Sequence, residues 1–204
     1  MLIYLGVIMK KRILFFILCC IALLNITGCG SNNAQSSNND SNNDNFAIVP
    51  DIKIEDIDWK VGAGTLNGQN YVLLQYTNNS QYVINSFELK FTEKSSVSET
   101  EKDKFYDDIQ ASQGFDDEYF NEWKDTKKQL NESITMYGKS SDVLNPGETS
   151  EKIKCYYYGG WTSKNVLHSD LVTPEIAEIE YTKDNVEYIL YYSFESESYD
   201  VEKK

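Results

Sequence analysis

The residues equipped for chemistry in this chain are few. There is one histidine, His168. Any Ser-His-Asp or Cys-His centre has to use it. Its neighbours Ser169 and Asp170 are adjacent in sequence, which says nothing about a triad, because triads assemble across a fold. His168 therefore reads as a hydrogen-bonded or solvated loop residue. The acidic runs Asp107-Asp108 and Asp116-Asp117-Glu118 lack the Asp-x-Asp-x-Asp-Gly spacing of a calcium loop and read as helix caps and solvated faces. Any two carboxylates can still converge across a fold, so a small hydrolase using paired acids stays an alternative. Gly62-x-Gly64 precedes no helix that would supply a dipole for a phosphate. One stretch is suited to recognition, Tyr156-Tyr157-Tyr158-Gly159-Gly160-Trp161. Alternation puts Tyr156 and Tyr158 on the face opposite Cys155 and leaves Trp161 in a Gly-rich loop. Displayed aromatics suit a protein or glycan partner. The competing reading is that neighbouring helices cover this face and the rings are core.

Cysteine usage points elsewhere. Cys29 closes the run Ile26-Thr27-Gly28-Cys29. Before it lie the basic cluster Lys10-Lys11-Arg12 and the apolar run Ile13 to Leu24. That order resembles the signal peptide and lipobox of bacterial lipoprotein precursors. The resemblance implies cleavage between Gly28 and Cys29. It also implies a diacylglyceryl group on the Cys29 thiol and residence on the extracytoplasmic face of the cell membrane. Residues 1–28 are then the signal peptide, with Met9 the better start, since a signal peptide begins with its charges. The apolar run is short for a membrane span of roughly 20 residues. An uncleaved anchor helix is the alternative. Cys19 and Cys20 fall in the removed segment and Cys29 takes the lipid, so Cys155 is left without a partner and reads as a buried strand residue. A zinc site takes several His or Cys ligands. With only Cys155 and His168 remaining, no metal, cofactor or catalytic residue is assigned.

Charge narrows the partners. The chain carries 19 Lys and Arg against 32 Asp and Glu, a net charge of -13. Three of those cations precede Cys29, leaving 16 against 32 and a net charge of -16 for the processed chain. Phosphate backbones and anionic headgroups repel such a domain, so nucleic acid is not expected as a partner. Residues 29–45 are the lipidated Cys and a polar tether of Ser, Asn, Asp and Gln, with a reach on the order of 20–25 Å. Residues 46–204 are enough for one domain with a real core.

The elements that must position these residues are mainly strands. Alternation begins at Ile52 and Ile54, slips in phase near Glu55-Asp56 as a bulge would, and resumes at Ile57, Trp59 and Val61. Gly62 to Asn70 reads as a turn. Tyr71 to Thr77, apolar on both faces, is a central strand. After the turn Asn78-Asn79-Ser80, Val83 to Phe91 turns Phe87, Leu89 and Phe91 inward. The period then becomes helical. Ser98 and Glu101 form a capping box, Gly114 ends that helix, and Asp116 caps a second one with Phe115 and Phe120 as a staple. Phe120, Trp123 and Leu130 are assigned to one face of it. Strands resume at Ser133, and Asn145-Pro146-Gly147-Glu148 is a turn. Lys152 to Tyr158 is one alternating strand. Glu175 to Thr182 and Val186 to Phe194 form a closing hairpin around Lys183-Asp184-Asn185.

Seven or so strands predict a mainly β protein: an immunoglobulin-like antiparallel β-sandwich with a two-helix insertion near 98–131. The turns Thr77-Asn78-Asn79-Ser80 and Asn145-Pro146-Gly147-Glu148-Thr149, each beside an alternating strand, resemble those of the FxLYD-type domains of bacterial lipoproteins. That family is adhesive or accessory and carries no catalytic residues across. The expected function is a membrane-anchored, non-enzymatic binding or accessory module of the cell envelope, with an envelope protein or glycan as partner. A solute-binding component of a transporter is a further alternative.

Overall fold

The structure, a computed structural model, describes residues 50–204. Cys29, Gly28, the signal peptide and the tether lie outside the described residues. In chain order the strands and helices are β1 (Ile57–Leu66), β2 (Gln69–Asn78), β3 (Val83–Glu93), α1 (Glu99–Gln113), α2 (Asp117–Gln129), β4 (Thr135–Ser140), β5 (Ile153–Lys154), β6 (Tyr156–Tyr157), β7 (Trp161–Thr162), β8 (Val172–Lys183), β9 (Val186–Ser193) and β10 (Ser198–Lys203). They build an antiparallel β-sandwich with a two-helix insertion. A small sheet in the order β1-β2-β5 faces a large sheet in the order β10-β9-β8-β3-β4-β6-β7.

Three strands cannot cover seven, and the insertion completes the second layer. Ser98 caps α1 through its hydroxyl while Glu101 reaches back to the Ser98 amide at 2.8 Å. Gly114 closes the helix in the left-handed region, φ 70°. Asp116 caps α2, and the Phe115 and Phe120 rings stack 5.9 Å apart. The helices thus arrive with fixed apolar faces. Phe105 of α1 meets the Tyr157 ring edge-on at 5.0 Å, and Trp123 of α2 meets Trp161 at 4.3 Å. At the other end of the large sheet the N-terminal segment closes the layer. Ile52 and Ile54 are buried, and the Ile54 amide donates to the Tyr199 hydroxyl at 3.0 Å.

The two turns that carry the lipoprotein-domain resemblance meet in the fold. Asn78 is fully buried. Its amide nitrogen donates to the carbonyls of Tyr82 at 2.8 Å and Leu144 at 3.0 Å, and its Oδ1 accepts from Ser80. Its backbone N–H donates to Glu148 and its carbonyl accepts from Gly147. Gly147, at φ 85°, supplies the positive φ that a turn of this kind needs.

Several expectations are corrected. The phase slip near Glu55-Asp56 is a turn of 3-10 helix, Ile54–Asp56, not a bulge. The turn assigned to Gly62–Asn70 is only Asn67-Gly68, both at positive φ, and β1 runs on to Leu66. Two such residues suffice to join antiparallel strands. Leu130 is 64% exposed. Ten residues along a helix is about 80° out of phase with Phe120, and Leu130 is already the C-cap. Lys152 to Tyr158 is not one strand. The chain leaves the small sheet after Lys154 and enters the large one at Tyr156, crossing at Cys155. The hairpin of β8 and β9 is not terminal, because β10 follows it.

Candidate functional surface

The structure does not gather Tyr156, Tyr158 and Trp161 into one exposed patch. All three are half-buried. Tyr156 stays on the outer face of the large sheet. Tyr158 takes a left-handed conformation, φ 48°, and Gly159 follows at φ 76°. That reversal breaks the alternation and turns Tyr158 under the helices. There it lies 5.4 Å from Trp123 and 5.9 Å from Trp161, with the Lys127 ammonium 5.3 Å from its ring centre. Burial pushes its phenol well above the ordinary tyrosine range, and the adjoining Tyr106 hydroxyl adds to the rise. Trp161 sits in β7, not in a free loop, and packs on Phe115, Phe120 and Trp123. For these two rings the helix-covered reading describes the packing.

His168 and Cys155 do not form a reactive pair. The His168 Nε2 lies 2.6 Å from Asp108 Oδ2, tying the loop before β8 to α1, and its ring sits edge-on to Phe105. Cys155 is fully buried, its sulfur close against Gly138. Burial pushes its thiol up to about 12, the reverse of what activates a nucleophile. Among the described residues no group of three or more His, Cys, Asp or Glu is placed to hold a metal ion. The described helices include none long and apolar enough to cross a membrane.

What remains open is the outer face of the large sheet. Tyr156 stacks there on Tyr137 of β4, ring centres 5.7 Å apart and planes 24° apart. The strand register continues the row through Lys90 of β3 to Ile176 of β8. The next row sets Lys139, Glu88, Glu178 and Tyr191 side by side. Glu88 and Glu178 are direct cross-strand neighbours, and two lysines relieve their repulsion. Lys139 approaches Glu88 at 3.1 Å and Glu178 at 3.8 Å, and Lys90 approaches them at 3.5 and 3.7 Å. Partial burial alone would lower the Lys139 ammonium, but the hydrogen bond and charge of Glu88, with Glu178 and Glu180, hold it above its ordinary range. Beside this lattice a groove of about 350 Å³ is lined by Glu88, Lys90, Thr135, Tyr137, Gly159 and Glu175. An aromatic shelf next to fixed donors and acceptors can stack a flat or ring-shaped group and hydrogen-bond its edge.

Sequence reasoning found Tyr156 and missed Tyr137 and Glu175. The alternation of β3 did mark Glu88 and Lys90 as outward. Their neighbours across the sheet depend on pairings that only the fold defines. The chain matches no protein-family model, no curated protein and no solved structure, so the FxLYD resemblance rests on its short motifs.

Proposed function

We propose that this protein is a lipid-anchored module of the cell envelope that binds a protein or glycan through the outer face of its large sheet. The observation that carries the reading is the stacked Tyr137–Tyr156 pair beside an open groove, on a face that neither the small sheet nor the helices cover. The Glu88–Lys139–Glu178–Lys90 lattice supports it, since fixed charges give a surface orientation and specificity. The anchor rests on the lipobox resemblance at Gly28-Cys29. Two acyl chains hold a protein stably at a bilayer, where one is marginal.

Two experiments test the two halves of the proposal. In cells given a clickable fatty acid, wild type is expected to take label and Cys29→Ala is not. Equal label on both, or none on wild type, would retire the anchor. In parallel, retention on isolated envelope fractions is expected to fall in the Tyr137→Ser/Tyr156→Ser variant with circular dichroism unchanged. Unchanged retention would remove this face as the binding surface. Turnover of a wall glycan that Glu88→Gln or Glu178→Gln abolishes would replace the binding module with a hydrolase.

A further inference from the structure

The small sheet carries a second surface with different chemistry. Its edge strand, β1, pairs with β2 in unbroken register from Ile57 opposite Asn78 to Leu66 opposite Gln69. Among the described residues no backbone hydrogen bond joins the other side of β1 to protein. The remaining edges are short or charged. β5 and β7 have two residues each, and β10 carries Asp200, Glu202 and Lys203. Exposed edges are ordinarily blunted by bulges, prolines, brevity or charge. β1 has ten residues, no proline and no bulge, and its outer face bears only Asp58 and Lys60 as charges.

Beyond Lys60 that face is open at Gly62, while the Leu73 side chain lies against Gly64. Gly62 and Gly64 follow at alternate positions, and a Cβ built at Gly62 would meet nothing within 4 Å. Over them lies a groove of about 230 Å³, floored by Leu73 and Gln75 and flanked by Lys60 and Lys152. Lys154, opposite Leu73, lies over the Tyr71 ring at 4.6 Å on the same face. Among the described residues none of these three lysines makes an ion pair. In a chain of net charge -13 this is a local reversal of sign. The carboxylates nearest in sequence are Asp58 and, before β5, Glu151.

We infer that β1 is a docking strand: it takes an extended acidic segment of a partner protein as a fourth strand of the small sheet. Main-chain hydrogen bonds to the free edge supply affinity, and alternate side chains supply specificity. On the outer face those side chains lean across Gly62, where no side chain blocks them, toward Lys60 and Lys152. Asp and Glu fit that environment. A second copy of this chain fits it poorly, because its β1 offers Asp58 alone and two acidic domains repel. The inference concerns the other sheet and stands whether or not the Tyr137–Tyr156 face binds.

The test uses the full chain in detergent, a short fluorescent peptide of alternating Thr and Glu, and a control peptide of alternating Thr and Lys. Saturable binding of the Glu peptide is expected, with slowed amide exchange confined to Ile57–Leu66. Lys60→Glu/Lys152→Glu is expected to weaken binding about tenfold or more. Gly62→Val places a side chain in open space and is expected to weaken it with circular dichroism unchanged. Absence of saturable binding, equal affinity for both peptides, or wild-type affinity in both variants would overturn the inference. So would binding without protection of β1, which marks a charged patch and not an added strand. Protection that needs no peptide and rises with protein concentration would assign the edge to a second copy, and overturn it equally.

Discussion

The two parts of the layer that faces the large sheet are held by different physics. The small sheet is fixed by a hydrogen-bond ladder and by buried amides and hydroxyls. Asn78 spans three segments there, and the Ser150 hydroxyl accepts the Tyr76 amide at 3.1 Å. The helical insertion has no such ladder and is fixed by rings. Phe105, Phe115, Phe120, Trp123, Tyr158 and Trp161 form one chain of contacts. A polar network needs each partner in place, because an orphaned buried group is costly. An aromatic cluster tolerates small shifts, since its attraction is spread over many atoms. Both parts nonetheless belong to one core cluster, so they are expected to unfold together.

Alkali is the most severe way to break this equivalence. Burial raises the Cys155 thiol from 9.0 and the Tyr76 phenol from 10.0, each to about 12. Burial pushes Tyr157 and Tyr158, under the helices, higher still. The unfolded chain releases these protons first. Their contribution is therefore full below a pH of about 9 and is lost as pH climbs toward 12. Loss of circular dichroism is expected to coincide with the late part of the tyrosinate absorbance. Full tyrosinate signal from an intact fold would show that the rings ionise in place.

Next in size is Phe105→Ala. The side chain is fully buried against Tyr106, Tyr157, Tyr158 and His168. Its truncation is expected to cost about 3–5 kcal/mol in urea denaturation of residues 46–204. Two separate transitions would show that the halves are not one cooperative unit. Asn78→Ala probes the polar half. It leaves the buried Ser80 amide without its acceptor and takes one of two donors from each of the Tyr82 and Leu144 carbonyls, and is expected to cost about 2–3 kcal/mol. A cost below that of a surface change would mean that water replaces the amide.

The smallest test separates two residues that the sequence placed side by side. Trp161→Ala is expected to lose about 2–3 kcal/mol, below the full core value because the ring is half-buried. Tyr156→Ala forfeits one cross-strand pair and is expected to lose less than about 1 kcal/mol. Equal losses measured by thermal melting would contradict the division of this stretch between two faces.

Features governed by a few adjacent residues could be read from the sequence. The capping box of Ser98 and Glu101, the left-handed Gly114, the Asp116 cap and the Asp184-Asn185 hairpin each need only local geometry. The Pro146-Gly147 turn is of the same kind. Features governed by distant pairing were hidden. The crossing at Cys155 leaves the alternation of Ile153, Cys155 and Tyr157 undisturbed, so nothing in the pattern announces a change of sheet. The strand β10 has only Tyr199 and Val201 as apolar residues, and its form comes from pairing with β9. The reversal at Tyr158 sits in a residue type that seldom takes positive φ. The candidate face was half legible: Tyr156 by alternation, Tyr137 only through the β4–β6 pairing.

The central strand of the large sheet has a consequence for when this chain can fold. β3 has β4 on one side, after the whole helical insertion, and β8 on the other, with Val83 opposite Thr182. Contacts of such long sequence separation form slowly. A chain emerging from its N-terminus first has Tyr76 and Trp59 ready to meet Phe87 and Phe91, but both edges of β3 stay unpaired until β4 and β8 exist. During that interval the apolar strand is open to other chains. The helices, whose caps are local, are able to form earlier and lie next to it in sequence. Even so, the insertion between β3 and β4 lengthens the interval during which both edges of β3 are open, while its own rings wait for Tyr157 and Trp161 to pack on.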